Sequence, residues 1–443
     1  MSAASPPAEA QPKARWRDGA TLIALALIAA LASQAGYERV NPDVTSWANS
    51  NYWFDSDAPL VFGNLTNQTS RYGDHANTRR HPAFVLLGHG ATKIVSGLTG
   101  APERVAVGGA LAGSAALAAA LLFALLRTLG LRRRDATLFT LTGGLSAASL
   151  FWFSVPETYP FAVSTILAAL LLVARADQGR TPNAITATVV AAATLAVTST
   201  NWTFGLLMLF AIFPWRRASL LSALSLGAVV ASWGIQREIA PSATFFLGLA
   251  EQDTRFFFHP EARGPAAIVR GFFSHAMVMP GLLSTPSGGL SVQAAAIGSA
   301  GPVSAIGAGV WLALLGYGGC EALRMRRSTR FVQVLGAATG MQLALHLVFG
   351  RETFLYTLHF APLLILIAAT GATARHRDAV AVATAGLCVL LAWNNIPRFT
   401  GAADRLKQRA APQVEVPAPP RTAPGWAGTS LAYVTLATEP YDV

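Results

Sequence analysis

The stretch Asn51-Tyr-Trp-Phe-Asp55-Ser-Asp57-Ala-Pro sets two carboxylates two positions apart. Arg71-Tyr-Gly-Asp74-His75 and Arg79-Arg80-His81-Pro82-Ala-Phe follow in the same polar segment. A carboxylate or imidazole can move a proton, and an arginine fork binds a carboxylate or phosphate bidentately. Asp55 and Asp57 share a face if the chain is extended, but lie about 200° apart on a helix. In the helical case only one faces a given site. Either aspartate, standing before Ala58-Pro59, also fits an N-cap with proline in the first turn. The plain alternative is a solvated loop whose charges serve only as caps. Further on, Pro156-Glu157-Thr-Tyr159, Thr200-Asn201-Trp202 and Gly350-Arg351-Glu352-Thr-Phe-Leu-Tyr356 bring polar groups to the ends of apolar runs, with His346 and His359 flanking the last. No three or four residues have metal-ligand spacing, so no metal site is expected. The two cysteines, Cys320 and Cys388, lie in apolar runs and give neither a disulfide framework nor a zinc motif.

The elements that must position these groups are apolar. Of 443 residues, 53% are hydrophobic and only 12% charged, with mean hydropathy +0.43. Soluble domains carry roughly 25% charged residues. These figures exclude a soluble multidomain enzyme and a disordered chain, and indicate an all-α, polytopic integral membrane protein. With about 20 apolar residues needed per crossing, eleven transmembrane helices are expected: 19–36, 105–126, 136–155, 159–175, 183–199, 203–215, 218–236, 303–322, 331–349, 357–374 and 379–395. The first is read as a helix rather than a cleaved signal, because its apolar run is long and no clear cleavage site follows. Ala83–Leu98 contains His89, Lys93 and several glycines, and is expected to lie at the membrane surface as an interfacial or re-entrant helix.

Short basic loops resist translocation. With a cytoplasmic N-terminus and a non-spanning Ala83–Leu98, every arginine cluster falls inside: Lys13/Arg15/Arg17, Arg127/Arg132/Arg133/Arg134, Arg175/Arg180, Arg216/Arg217, Arg324/Arg326/Arg327/Arg330 and Arg375/Arg377. The cytoplasmic side then holds 17 basic and 6 acidic residues, against 16 of each outside. The net charge of +11 is therefore a topology signal, and no nucleic-acid partner is expected. The resulting organisation is a cytoplasmic segment (1–18), a membrane domain (19–396) and a periplasmic, proline-containing tail (397–443). The membrane domain carries outer loops at 37–104 and 237–302. In the second loop, Phe256–Met279 reads as an apolar, basic stretch suited to the membrane surface. Thirty arginines against three lysines, with abundant alanine, suggest a high-GC bacterial gene. That places the chain in a bacterial inner membrane. Internal repeats are not evident and the spans hold almost no acidic residues, both of which weigh against an ion-coupled transporter.

An acidic residue early in the first outer loop, then a His-Pro-apolar motif opening a surface helix, resembles the GT-C superfamily of polytopic glycosyltransferases. Protein O-mannosyltransferases and the aminoarabinose transferases of lipid A are examples. The resemblance rests on Asp55/Asp57, Arg79-Arg80-His81-Pro82, the basic loop Leu131-Arg-Arg-Arg134, and the three later motifs at Glu157, Asn201 and Arg351, over roughly residues 15–395. The Asp55-Ser-Asp57 pair departs from the Asp-Glu pair of the best-known members, which leaves open which aspartate is catalytic. The resemblance implies transfer of a sugar from a polyprenyl-phosphate donor to a lipid, glycan or protein acceptor on the outer face, with inversion. It implies Asp57 as general base with Asp55 second, Arg79, Arg80 and Arg351 as donor-phosphate ligands, and Asp74, His75, His81, Glu157 and His359 as substrate-binding residues. No cofactor is required; Asp55, Asp57, Asp74 and Glu157 are the acidic ligands if a divalent ion takes part. The alternatives are a transporter or flippase of a lipid-linked saccharide, and a transferase of the O-antigen ligase or polymerase type.

Overall fold

The computed structural model describes residues 12–66, 76–247, 264–325 and 329–410. Asp74 and His75, the tail beyond residue 410, and residues 256–263 of the second outer loop lie outside them. The described chain is helical apart from one two-stranded ribbon, Leu283–Ser284 against Leu290–Ser291. In order, the helices are α1 (Pro12–Val40), α2 (Ala58–Thr66), α3 (Phe84–Thr99), α4 (Glu103–Thr128), α5 (Arg133–Leu145), α6 (Ala147–Trp152), α7 (Tyr159–Asp177) and α8 (Ala184–Val197). There follow α9 (Trp202–Ile212), α10 (Trp215–Ile239), the short α11 (Pro265–Arg270), α12 (Pro302–Met325), α13 (Arg330–Val348), α14 (Thr357–Thr370) and α15 (Arg377–Ala410).

Among the described residues, eight segments are long and apolar enough to cross a membrane: α1, α4, α7, α10, α12, α13, the α14 segment Thr353–Thr373, and α15. This is the build of a multi-pass membrane protein. Three of the expected spans are shorter than their apolar runs. At 1.5 Å per residue, the 14 residues of α8 and 11 of α9 reach only about 21 and 16 Å, against a hydrocarbon core of about 30 Å. The expected helix 136–155 is broken at Ser146. There the backbone turns extended (ψ 152°) and the Ser146 hydroxyl caps α6 by accepting from the Ser149 amide at 3.1 Å. The amides freed by the break, Ala147 and Ala148, donate to the carbonyls of Met277 and Ala276. A segment distant in sequence has replaced the helix's own acceptors.

That segment corrects a second expectation. The Gly271–Met279 part of Phe256–Met279 is packed inside the protein, while Gly264–Ala266 and Val269 are exposed: Phe272, Met277 and Met279 are buried, and Phe272 stacks on Phe360 of α14 with centroids 4.1 Å apart. Asn395 of α15 locks it, accepting from the Met279 amide and donating to the Met277 carbonyl. The same buried face carries α15 through Pro397, where a tail was expected to begin, to Ala410. Phe399, Ala402, Ala403 and Leu406 are buried along it, so packing offsets the hydrogen bond that proline cannot make.

Polar contacts gather at two ends. At one, Arg127 pairs with Asp18 at 2.8 Å, Arg132 and Arg134 reach Asp378, and Asp177 accepts from the Phe331 amide. At the other, the Tyr37 hydroxyl donates to the Arg104 carbonyl, Ser199 N donates to the Arg80 carbonyl, Gln236 donates to the Pro82 carbonyl, and Arg39 meets Asp404. Helix α3 lies at this second end. It buries Phe84, Val85, Gly88 and Thr92 and exposes Leu87, Ile94 and Leu98.

Candidate functional site

The site is founded on an aromatic block. Trp53, Phe54, Phe151, Trp152 and Phe354 pack with ring centroids 5.0 to 6.3 Å apart, all nearly inaccessible. Trp152 Nε1 donates to the Phe354 carbonyl at 2.9 Å. This block holds a backbone that the chain would otherwise avoid. Asn51, Phe54 and Asp55 sit at φ 61°, 51° and 61°, a left-handed region in which a side chain with a Cβ is strained. The bend turns the two aspartates in different directions, as a non-extended geometry requires. Asp57 reaches the cavity described below. Asp55 does not line it, and acts electrostatically on Glu157 and on Glu352, whose neighbour Phe354 packs on Phe54.

Asp57 stands immediately before α2, and its carbonyl accepts the first helical bond from the Val61 amide at 2.9 Å. Its own amide donates to Glu157 Oε1 at 2.7 Å. Glu157 is 2% exposed and also accepts from the Thr158 amide. Burial pushes its carboxyl up to about 8, and the neighbouring Asp57 and Asp55 raise it further against the pull of those two amides. Near neutral pH this environment favours the protonated carboxyl. Glu352 behaves similarly: burial, with Asp55 nearby, raises it to about 7, while Ser291 Oγ donates to its Oε2.

His81 is buried beside α8. Its Nδ1 lies 2.8 Å from the Val197 carbonyl, which can only accept, so Nδ1 carries the hydrogen and Nε2 is the acceptor nitrogen. Burial, with Arg80 adjacent, lowers its pKa to about 4, so the ring is neutral at pH 7. Because Ser199 N holds the Arg80 carbonyl, the Arg79-Arg80-His81 stretch is clamped onto the α8–α9 junction.

These pieces enclose one cavity of about 220 Å³. Asp57, Glu157, Arg79, Arg80, His81 and His359 all line it. Six of the ten residues singled out from sequence thus converge from four separate stretches of chain. Asp55 stands behind the turn, Arg351 is exposed and outside the lining, and Asp74 and His75 lie outside the described residues. His346 and Thr200, also named from sequence, line it too; other parts of the wall carry no signal in the sequence. Tyr159 and Tyr356 pack ring to ring at 5.6 Å, Thr198 and Ser199 line the α8–α9 side, and Phe246 and Phe349 close the apolar side. Both tyrosines belong to motifs that had drawn attention for their charged members alone. Among the described residues, no group of three or more His, Cys, Asp or Glu is disposed to hold a metal ion.

The Glu157 environment predicts a pH response. Its folded pKa lies above the ordinary 4.5, so between about 4.5 and 8 the unfolded chain ionises while the folded one does not, and stability falls as pH rises. Glu352 adds in the same direction up to about 7. Glu157→Gln should keep the neutral carbonyl acceptor for the Asp57 amide and flatten this decline. Thermal unfolding in detergent from pH 5 to 9 checks it, with the variant gaining most on wild type at the alkaline end.

The arrangement offers a proton acceptor, two guanidinium groups and a neutral carboxyl in one pocket at one end of a helical bundle. The chain matches no protein-family model and no curated protein sequence.

Proposed function

We propose that the protein is a membrane glycosyltransferase that moves a sugar from a polyprenyl-phosphate donor to a hydroxyl-bearing lipid, glycan or protein acceptor on the outer face of a bacterial inner membrane. The observation that carries this reading is the meeting of Asp57 with Arg79 and Arg80 in one cavity, at the end of the bundle away from the Arg127–Asp18 and Arg134–Asp378 pairs. If those basic clusters mark the cytoplasm, the cavity opens outward. Eleven passes fit this topology, counting α5 and α6 together and including short α8 and α9, with the N-terminus inside, the C-terminus outside and α3 at the interface.

In the proposed reaction, Asp57 accepts the proton of the acceptor hydroxyl as that oxygen bonds to the anomeric carbon. The bond from that carbon to the phosphate oxygen breaks on the opposite face, so the configuration inverts. Arg79 and Arg80 stabilise the departing phosphate by charge-assisted hydrogen bonds. Protonated Glu157 donates to a substrate hydroxyl rather than competing for the incoming proton. An apolar cavity of about 250 Å³ between α1, α4, α5, α7 and α14 suits the prenyl chain. Leu358 lines this cavity and the next residue of α14, His359, lines the polar one, so both cavities border the same helix. A flippase needs no base, and the strained turn at Phe54 and Asp55, leading to Asp57 at the cavity, supports the transferase reading over it.

The test is a reconstituted assay in liposomes with a polyprenyl-phosphate hexose and extracted envelope acceptors. Release of free polyprenyl phosphate that depends on the acceptor supports the reading. Movement of intact donor between leaflets without release would replace it with the flippase.

A further inference from the structure

Resting on the glycosyltransferase reading, one part of the cavity takes no part in the proposed transfer step: the wall built by the end of α13, the turn that follows it and the start of α14. It comprises Leu345, His346, Phe349, Tyr356 and His359, and includes neither a carboxylate nor a guanidinium. His359 is 2% exposed, lies inside a segment apolar enough to cross a membrane, and its Nε2 has no hydrogen-bond partner. One turn below His346 on the same face of α13, Gln342 is fully buried with both amide atoms unpartnered. Polar groups in a membrane-level helix are costly and ordinarily satisfied, so His359, left this way in the cavity wall, points to a polar occupant.

The chemistry of the wall narrows that occupant. Imidazole and phenol groups between them both donate and accept hydrogen bonds, as sugar hydroxyls do. Tyr159 and Tyr356 meet edge to face, and His346 stacks on Tyr356 with centroids 5.0 Å apart, which presents flat aromatic surface beside the donors. The charges lie elsewhere, on Arg79, Arg80 and Asp57. At about 220 Å³ the cavity is smaller than the roughly 300–1,000 Å³ of sites for drug-sized ligands. A phosphate at the arginines leaves room for one ring and not for an oligosaccharide.

We propose that His359, with His346 and Tyr356, forms the subsite that reads the hydroxyls of a single uncharged sugar on the lipid-phosphate donor, and so sets which sugar the enzyme accepts. His359 is here a specificity-determining residue, contributing to ground-state recognition rather than to the proton transfer.

The test measures binding to the full-length protein in lipid nanodiscs. The probes are a synthetic polyprenyl phosphate, the same lipid carrying one hexose, and the same lipid carrying an amino sugar. Two neutral hydrogen bonds to the ring give about tenfold tighter binding of the hexose lipid than of the bare phosphate. The amino-sugar lipid gains less. His359→Phe should erase the hexose advantage and leave affinity for bare polyprenyl phosphate unchanged. Tyr356→Phe, which removes one hydroxyl and little volume, should reduce the advantage to about threefold. Equal binding of the hexose and bare lipids by wild type, or a full advantage retained in both variants, overturns the subsite while leaving the lipid-phosphate reading standing. If wild type binds none of the three lipids, the glycosyltransferase reading fails and this inference fails with it.

Discussion

Asp57→Asn is expected to lower sugar transfer by about 10²–10⁴-fold, the usual contribution of a positioned general base, with donor binding retained. The separation of the two effects follows from where the side chain sits. Asp57 is exposed, its carbonyl accepts from Val61 and its amide donates to Glu157. Asparagine keeps both and is as good a helix-capping residue as aspartate, so the α2 start survives. What disappears is the basic oxygen facing the cavity. Asp55→Asn should cost transfer far less, because Asp55 interacts with Glu352 behind the turn and does not line the cavity. Steady-state release of polyprenyl phosphate, measured beside donor affinity, checks both variants. Unchanged turnover in Asp57→Asn would remove the assigned base.

Arg79→Gln and Arg80→Gln should weaken binding of polyprenyl phosphate by about 10–100-fold each, since a hydrogen bond to a charged group contributes roughly 1.5–3 kcal/mol. Affinity for the uncharged polyprenol should hardly change. Glutamine preserves the Arg80 main chain, whose carbonyl receives the Ser199 amide, so the clamp on the α8–α9 junction stays in place. Arg351→Gln is the informative comparison. The sequence alone makes Arg351 as good a phosphate ligand as the other two. The structure leaves it exposed and outside the cavity, so its loss should alter lipid-phosphate binding by less than about threefold. Equal losses in all three would indicate a diffuse surface attraction instead of a clamp.

The contrast between Arg351 and Arg80 shows what was legible in the sequence. Long apolar runs identify helices such as α4 and α12 directly, since each must hide its backbone from lipid by its own hydrogen bonds. The pairing of Asp57 with a proline-started helix was also readable, because capping is a local matter of side chain and amide. Ser146 was not. Gly143-Gly144 weakens the helix just before it, but a glycine pair inside a long apolar run does not by itself end a span, and the break is held because Ala276 and Met277, more than a hundred residues on, supply acceptors to the amides it frees. The inward packing of Phe272 and the continuation of α15 past Pro397 have the same cause, a partner surface absent from the local sequence. Within the site, the charged residues announced themselves by type. Tyr159, Tyr356 and the Thr198–Ser199 turn did not, because aromatic and hydroxyl side chains are ordinary at helix ends near a membrane surface.

The measurement that bears most directly on the central claim is a structure of the protein with a polyprenyl phosphate bound. The account predicts phosphate oxygens within hydrogen-bond reach of Arg79 or Arg80, the prenyl chain running toward the apolar cavity past Leu358, and Asp57 on the side from which an acceptor hydroxyl must approach. A phosphate bound instead among Arg127, Arg132 and Arg134 at the opposite end, with the Asp57 cavity unchanged, would contradict it.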